Sequence, residues 1–186
     1  FVGIHGGSFT VWGVLYPFLV SNVAENAAAF AAGQPMTRIF TEPFVFNWIM
    51  IGGVGMTLPL VLFYWKSKSV RLREVARVEL APGLFNINEP ITFGVPVVLN
   101  PILLIPFVFV TLFGGMYGYL ITKLGLVTTT YVQTPWSIPP FIGPYLSTGG
   151  DWRAVVAQAI LLVIVAIIWY PFAKVWEQKC IEEERG

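Results

Sequence analysis

Charge is scarce in this sequence. Only 11% of its 186 residues are Asp, Glu, Lys or Arg, against a hydrophobic share of 56%, and the mean hydropathy is +0.72. An ordinary soluble domain carries roughly 25% charged residues, so the composition excludes that class and indicates an integral membrane protein. Eleven Lys and Arg nearly balance ten acids, leaving a net charge of +1, so there is no basic field to recruit nucleic acid. The one cysteine, Cys180, excludes an intramolecular disulfide and any cysteine-based metal motif. The one histidine, His5, excludes a histidine-rich metal site. No phosphate-binding glycine motif, serine–histidine–acid set or dinucleotide fingerprint is present, and no metal or cofactor is expected.

What is present is long apolar runs. Residues 44–65 and 154–173 each have the length needed to cross a hydrocarbon core of roughly 30 Å. Residues 97–122 form a third span, which Pro101, Pro106 and the paired Gly114 and Gly115 are expected to bend. Residues 8–20 are too short for a full span and fit a half-span, a re-entrant arm or the remnant of a longer helix. The opening FVGIHGG has no initiator Met and no charged leader, which points to a fragment.

Five of the eleven basic residues (Lys66, Lys68, Arg71, Arg73, Arg77) follow the first span, and Lys174 and Lys179 follow the last. Both stretches, the C-terminal one included, are therefore expected to be cytoplasmic. Leu72, Val75 and Ala76 fall at helical spacing within 66–79, which predicts an amphipathic helix on the membrane surface; a solvated loop is the alternative. If 66–79 is inside and 154–173 runs from outside to inside, 97–122 supplies the one crossing between them. Residues 80–96 must then enter and leave on the same side. With Gly83, Asn86, Asn88, Pro90, Gly94 and Pro96, they are expected to form a re-entrant hairpin. The fold class is thus all-α: transmembrane helices with a re-entrant hairpin and an interfacial amphipathic helix.

Glu89 is the only formal charge between residues 80 and 122. An acid in the bilayer costs about 2.5–3.5 kcal/mol on insertion scales and marks a functional site by default. Pro90 suits the first turn of a helix, so Glu89 is placed at a helix start. There, exposed N–H groups favour the carboxylate while desolvation favours the neutral acid. Such a group can accept a proton or a hydrogen bond from a substrate hydroxyl. The alternative for Asn88-Glu89-Pro90 is a helix cap whose acid pairs with a buried cation or amide and does nothing else. His5 lies among Gly3, Gly6 and Gly7 and fits either a polar turn residue or a ligand contact. In the Pro- and Gly-rich loop 128–152, Trp136 fits an interfacial anchor or a flat platform for a sugar face, with Gln133 and Thr134 offering hydrogen bonds.

GIHGG (3–7) and GLFNINEPITFGVPVVLNPILLIPF (83–107) together resemble the membrane-embedded IIC permease subunit of the bacterial sugar phosphotransferase system, in its lactose, cellobiose and diacetylchitobiose branch. The resemblance covers residues 1–186 as the C-terminal, substrate-binding half of such a subunit, without its N-terminal interface domain. It implies a multi-pass protein of the bacterial cell membrane, embedded in lipid and homodimeric at full length. Such a protein binds a β-linked disaccharide and presents its C6 hydroxyl to a phosphocysteine on a cytosolic IIB partner, itself loaded by IIA. By the same resemblance Glu89 is the candidate base and His5 lies near the same hydroxyl. Asn88 contacts the sugar, and Trp136 and Gln133 complete the site. Two readings compete with it: a proton-coupled secondary transporter with Glu89 as its protonation site, and a membrane scaffold.

Overall fold

A computed structural model describes residues 13–185; the motif containing His5 lies outside them. Every regular element among the described residues is helical. They are α1 (Tyr16–Ala31), α2 (Glu42–Trp48), α3 (Leu58–Tyr64), α4 (Val70–Leu84), α5 (Glu89–Gly94), α6 (Pro101–Lys123), α7 (Ile142–Ser147) and α8 (Trp152–Glu183). A short 3-10 turn, Val97–Leu99, links α5 to α6.

Two of these helices, α6 and α8, are long and apolar enough to cross a membrane, and they correspond to the runs expected at 97–122 and 154–173. Asn100 caps α6 by accepting from Ile102 N at 2.9 Å, with Pro101 at its first position; Asp151 caps α8 through Arg153 N at 3.0 Å. The two helices pack on each other, yet large apolar side chains such as Met116 (65% exposed) and Ile167 (67%) point away from the protein. An apolar helix with an uncovered apolar face suits a lipid surround. The helix α6 is continuous across Gly114 and Gly115. Gly114 and Gly118 make room for Trp48, because a Cβ at either would collide with it.

The run 44–65 is not one helix. It is α2 and α3 separated by an irregular stretch, 49–57, in which Gly52, Gly53, Gly55 and Met56 adopt positive φ. A left-handed backbone cannot continue a right-handed helix, and Pro59 at the start of α3 fits a new first turn. Trp169 of α8 donates to Gly55 O at 3.2 Å, satisfying part of the unwound backbone.

Residues 66–79 also differ from expectation. The helix α4 starts at the Ser69 cap, where Oγ accepts from Leu72 N at 3.3 Å, and continues through Leu84. Its apolar side is turned toward the protein: Leu72 and Ala76 are fully buried and α4 packs against α3. Leu72 and Ala76 thus belong to the same buried core as Leu60, Val61 and Tyr64 of α3. Over residues 80–96 the chain forms the end of α4, a turn at 85–88, and α5, which packs against α4. The loop 128–152 is irregular as expected, apart from α7. The helix α1 covers a stretch, 21–31, to which the sequence reading assigned no element; Asn26 fixes it by donating to Arg38 O at 2.7 Å and Thr130 O at 2.9 Å.

The basic stretch and the end of α8 are joined directly. Ser67 Oγ donates to Glu177 Oε1 at 2.6 Å, and Ser69 Oγ to Glu184 Oε1 at 2.6 Å. The amides of Val70 and Arg71 also donate to Glu184. Residues 67–71 and 177–184 therefore occupy the same end of the fold.

Candidate functional site

The turn at 85–88 is organised by its two asparagines. Asn86 adopts a left-handed conformation (φ 63°), which Asn tolerates better than most residues. Its Oδ1 accepts from Gly52 N at 2.9 Å, while its Nδ2 donates to Trp136 O at 2.8 Å and to Ile138 O at 3.3 Å. One side chain thus joins the unwound stretch 49–57, the turn before α5 and the loop bearing Trp136. Asn88 precedes α5 without capping it through its side chain. Its Nδ2 donates instead to Val54 O at 2.7 Å and Thr57 Oγ1 at 3.0 Å. Gly53 permits this approach, since a Cβ there would collide with the Asn88 side chain.

With Asn88 occupied in this way, α5 needs another cap. Pro90 has no N–H, and the next donor, Ile91 N, is met by Glu79 Oε2 of α4 at 3.0 Å. Glu79 is fully buried and Gly83, one turn further along α4, leaves room for its Oε1. The start of α5, and with it Glu89, is fixed from below by α4 and from the side by 52–57.

Above this turn lies a cavity of about 1030 Å³, lined by Glu89, Asn88, Asn86 and Trp136 together with Glu42, Asn22 and Thr111 and by apolar side chains of α1 and α2. Pockets for drug-sized ligands run from about 300 to 1,000 Å³, so this one is large enough for a ligand of that class. The polar liners divide into two kinds. Asn22 donates to Phe40 O at 2.7 Å, Thr111 to Phe107 O at 2.8 Å, and Asn86 and Asn88 to the backbone and the Thr57 hydroxyl as above. Neither Glu42 nor Glu89 forms an ion pair among the described residues.

Of the residues expected from sequence, Glu89, Asn88 and Trp136 come together on one cavity. Glu89 is exposed to it, and Trp136 is 48% exposed. Gln133 is exposed on the same loop as Trp136 but is not among the lining residues. His5 lies outside the described residues. Sequence reasoning missed Asn86 and Glu42. The signal for Glu42 was present in Thr41-Glu42-Pro43, an acid–proline pair behind a polar residue that matches Asn88-Glu89-Pro90. Both pairs open a helix, with Glu at the first position and Pro at the second.

A broken helix pair, an acid and an aromatic around a ligand-sized cavity fit a protein that binds a small molecule, and its similarity to known proteins gives the class. Residues 1–111 match the family described as "Phosphotransferase system, EIIC", and the chain belongs to that family of membrane permeases. Over 184 residues it is 40% identical to the putative permease IIC component YwbA of Bacillus subtilis (strain 168), covering 98% of this chain and 41% of that protein. Over 187 residues it is 39% identical to the cellobiose-specific EIIC component of Geobacillus stearothermophilus, again covering 98% and 41%. The crystal structure of the transporter ChbC, the IIC component from the N,N'-diacetylchitobiose-specific phosphotransferase system, superimposes with a TM-score of 0.94 at 38% identity, over 99% of this chain and 43% of that one. The chain therefore spans about two-fifths of the length of these relatives.

Proposed function

We propose that this chain is the C-terminal, sugar-binding part of a phosphotransferase-system IIC permease. The full-length protein binds a β-linked disaccharide of the cellobiose, diacetylchitobiose or lactose type and carries it across the bacterial membrane. It then presents the C6 hydroxyl to a phosphocysteine on a IIB partner loaded by IIA. The observation that carries this reading is the meeting of Glu89, Asn88 and Trp136 on one cavity of about 1030 Å³.

Each residue has a role that its chemistry permits. Glu89, exposed to the cavity, accepts the hydrogen of the C6 hydroxyl and acts as the base when the oxygen attacks phosphorus. Phosphoryl transfer needs positioning more than covalent help, so the absence of a phosphate cradle in the sequence agrees with a donor held on the partner. Trp136 offers its face to the C–H side of a sugar ring. The Asn88 amide holds residues 54 and 57, which leaves Oδ1 as its group for the ligand. His5 acts beside Glu89 on the same hydroxyl, and Gln133 contacts the sugar from the Trp136 loop. The α4–α5 pair serves as a re-entrant hairpin, with residues 66–79 and the end of α8 cytoplasmic, and the full-length protein is a homodimer in lipid.

The test uses the full-length parent protein with its IIB partner. Glu89→Gln keeps the size of the side chain and removes the base. It is expected to abolish coupled uptake and phosphorylation while membrane insertion persists. Normal phosphorylation by that variant would overturn the role given to Glu89, and uptake driven by a pH gradient without a phosphoryl donor would overturn the class of transport.

A further inference from the structure

Glu42 stands out among the acids of this protein. Its residue exposure is 3%, it lines the cavity that contains Glu89, and its Oε2 is buried without a hydrogen-bond partner among the described residues. Buried polar groups in native proteins are almost always paired, and one left unpaired costs about 1–3 kcal/mol, more when charged. Its backbone is held firmly. Thr41 caps α2 through Phe44 N at 3.2 Å, and its hydroxyl shares a 2.5 Å hydrogen bond with Thr130. The side chain is therefore placed at the cavity wall by a rigid start to α2, with Oε2 unpaired among the described residues.

We propose that Glu42 is a second ligand-contacting acid of this cavity, accepting hydroxyl hydrogens from the same disaccharide that Glu89 engages. This rests on the sugar-binding reading given above. A carboxyl group accepts hydrogen bonds through two oxygens, and a polyhydroxylated ring is dense in donors. The neighbouring Asn22, Asn86, Asn88 and Thr111 direct their donors at the protein's own carbonyl and hydroxyl oxygens. The two acids are thus the carboxyl acceptors of the cavity, beside the Asn88 Oδ1 already assigned to the ligand. Glu42 sits on α2 and Glu89 on α5, so the ligand would be gripped from two separate elements. A site that hydrogen-bonds a particular hydroxyl rejects analogues lacking it far more strongly than an apolar wall could, so Glu42 is a specificity-determining residue.

The experiment measures binding of cellobiose, N,N'-diacetylchitobiose and lactose, and of monodeoxy analogues of whichever binds, to the purified full-length parent and to its Glu42→Gln and Glu42→Leu variants. Thermal unfolding is followed with and without sugar. The variants are expected to bind at least tenfold more weakly and to melt, without sugar, no lower than the parent, because the unpaired acid stabilises nothing in the empty protein. One deoxy analogue should lose no further affinity on mutation, its missing hydroxyl being the partner of Glu42. Unchanged affinity, a lowered melting temperature without sugar, or deoxy penalties that add fully to the mutation for every analogue would each overturn the inference. A parent that binds none of the three sugars would instead overturn the sugar-binding reading, and this inference with it.

Discussion

Glu79 Oε2 accepts from Ile91 N at 3.0 Å, so a helix start whose own preceding residue is engaged elsewhere is capped by an acid from the neighbouring helix. Replacing Glu79 with Ala would strand that amide beneath Glu89. Stranding a buried donor costs about 1–3 kcal/mol, and α5, only six residues long, has few other bonds to compensate. Glu79→Ala is expected to lower the melting temperature of the purified parent and to weaken sugar binding. Glu79→Gln still offers an acceptor oxygen and should recover most of both, as differential scanning calorimetry and titration calorimetry would show.

Gly53 is the point where the unwound stretch meets the site. Its φ of 92° is unfavourable for any residue with a Cβ, and the added atom would collide with Asn88. Gly53→Ala is therefore expected to displace Asn88 and break its bonds to Val54 and Thr57. Sugar affinity should fall by at least tenfold in titration calorimetry. Gly125, which also has positive φ but no atom within 4 Å of an added Cβ, serves as the control: Gly125→Ala should leave affinity unchanged.

Trp136 separates a sugar platform from a membrane anchor. A stacking role predicts that Trp136→Ala lowers affinity about tenfold and Trp136→Phe much less, since an aromatic pairing contributes about 0.5–1.5 kcal/mol beyond its burial. Anchoring alone would leave affinity intact and reduce the amount of protein inserted. Equilibrium binding beside quantitative membrane fractionation distinguishes the two.

The pH dependence of stability follows from acids outside the membrane-spanning segments. Burial works against the Asp151 carboxylate, but hydrogen bonds from Arg153 and Thr128 prevail and hold it at about 2, below its ordinary 3.8. Glu177 is also opposed by burial and held below its ordinary value by Ser67, Lys174 and the Lys68 amide. Each depressed acid contributes stability that is fully present above its ordinary value and lost as pH falls toward its folded one. The melting temperature should thus fall as pH is lowered from about 4 toward 2. Asp151→Asn should start lower at neutral pH and fall less steeply across that window.

The two long helices were legible because a sustained apolar run of that length has few other fates, and both were flanked by readable caps in Asn100-Pro101 and Asp151. The run at 44–65 was misread for a local reason. Hydropathy registers Gly52, Gly53 and Gly55 as neutral, whereas the backbone uses their freedom of φ to unwind. The apolar Leu72 and Ala76 of α4 were legible from their spacing, but spacing shows that a face is apolar without showing what covers it, and both join the core. In the site, Glu89 announced itself as a lone charge in a greasy run. Glu42 did not, since Glu25 and Arg38 lie close to it in sequence and make the region look ordinarily polar. Asn86 joins segments 34 and 50 residues away, a relationship no local pattern encodes.

The serine clamp at the start of α4 has a consequence for the order of assembly. Ser67 and Ser69 are bound by Glu177 and Glu184, which lie 110 and 115 residues further along the chain. At a synthesis rate of about 5–20 residues per second, α4 spends several seconds outside the ribosome before those acids are made. During that interval Val70 N and Arg71 N, the amides that Glu184 later receives, have only water for partners. The hairpin that presents Glu89 therefore acquires its final fastening after α6, α7 and most of α8 have been translated, which makes the site one of the later parts of the protein to become rigid.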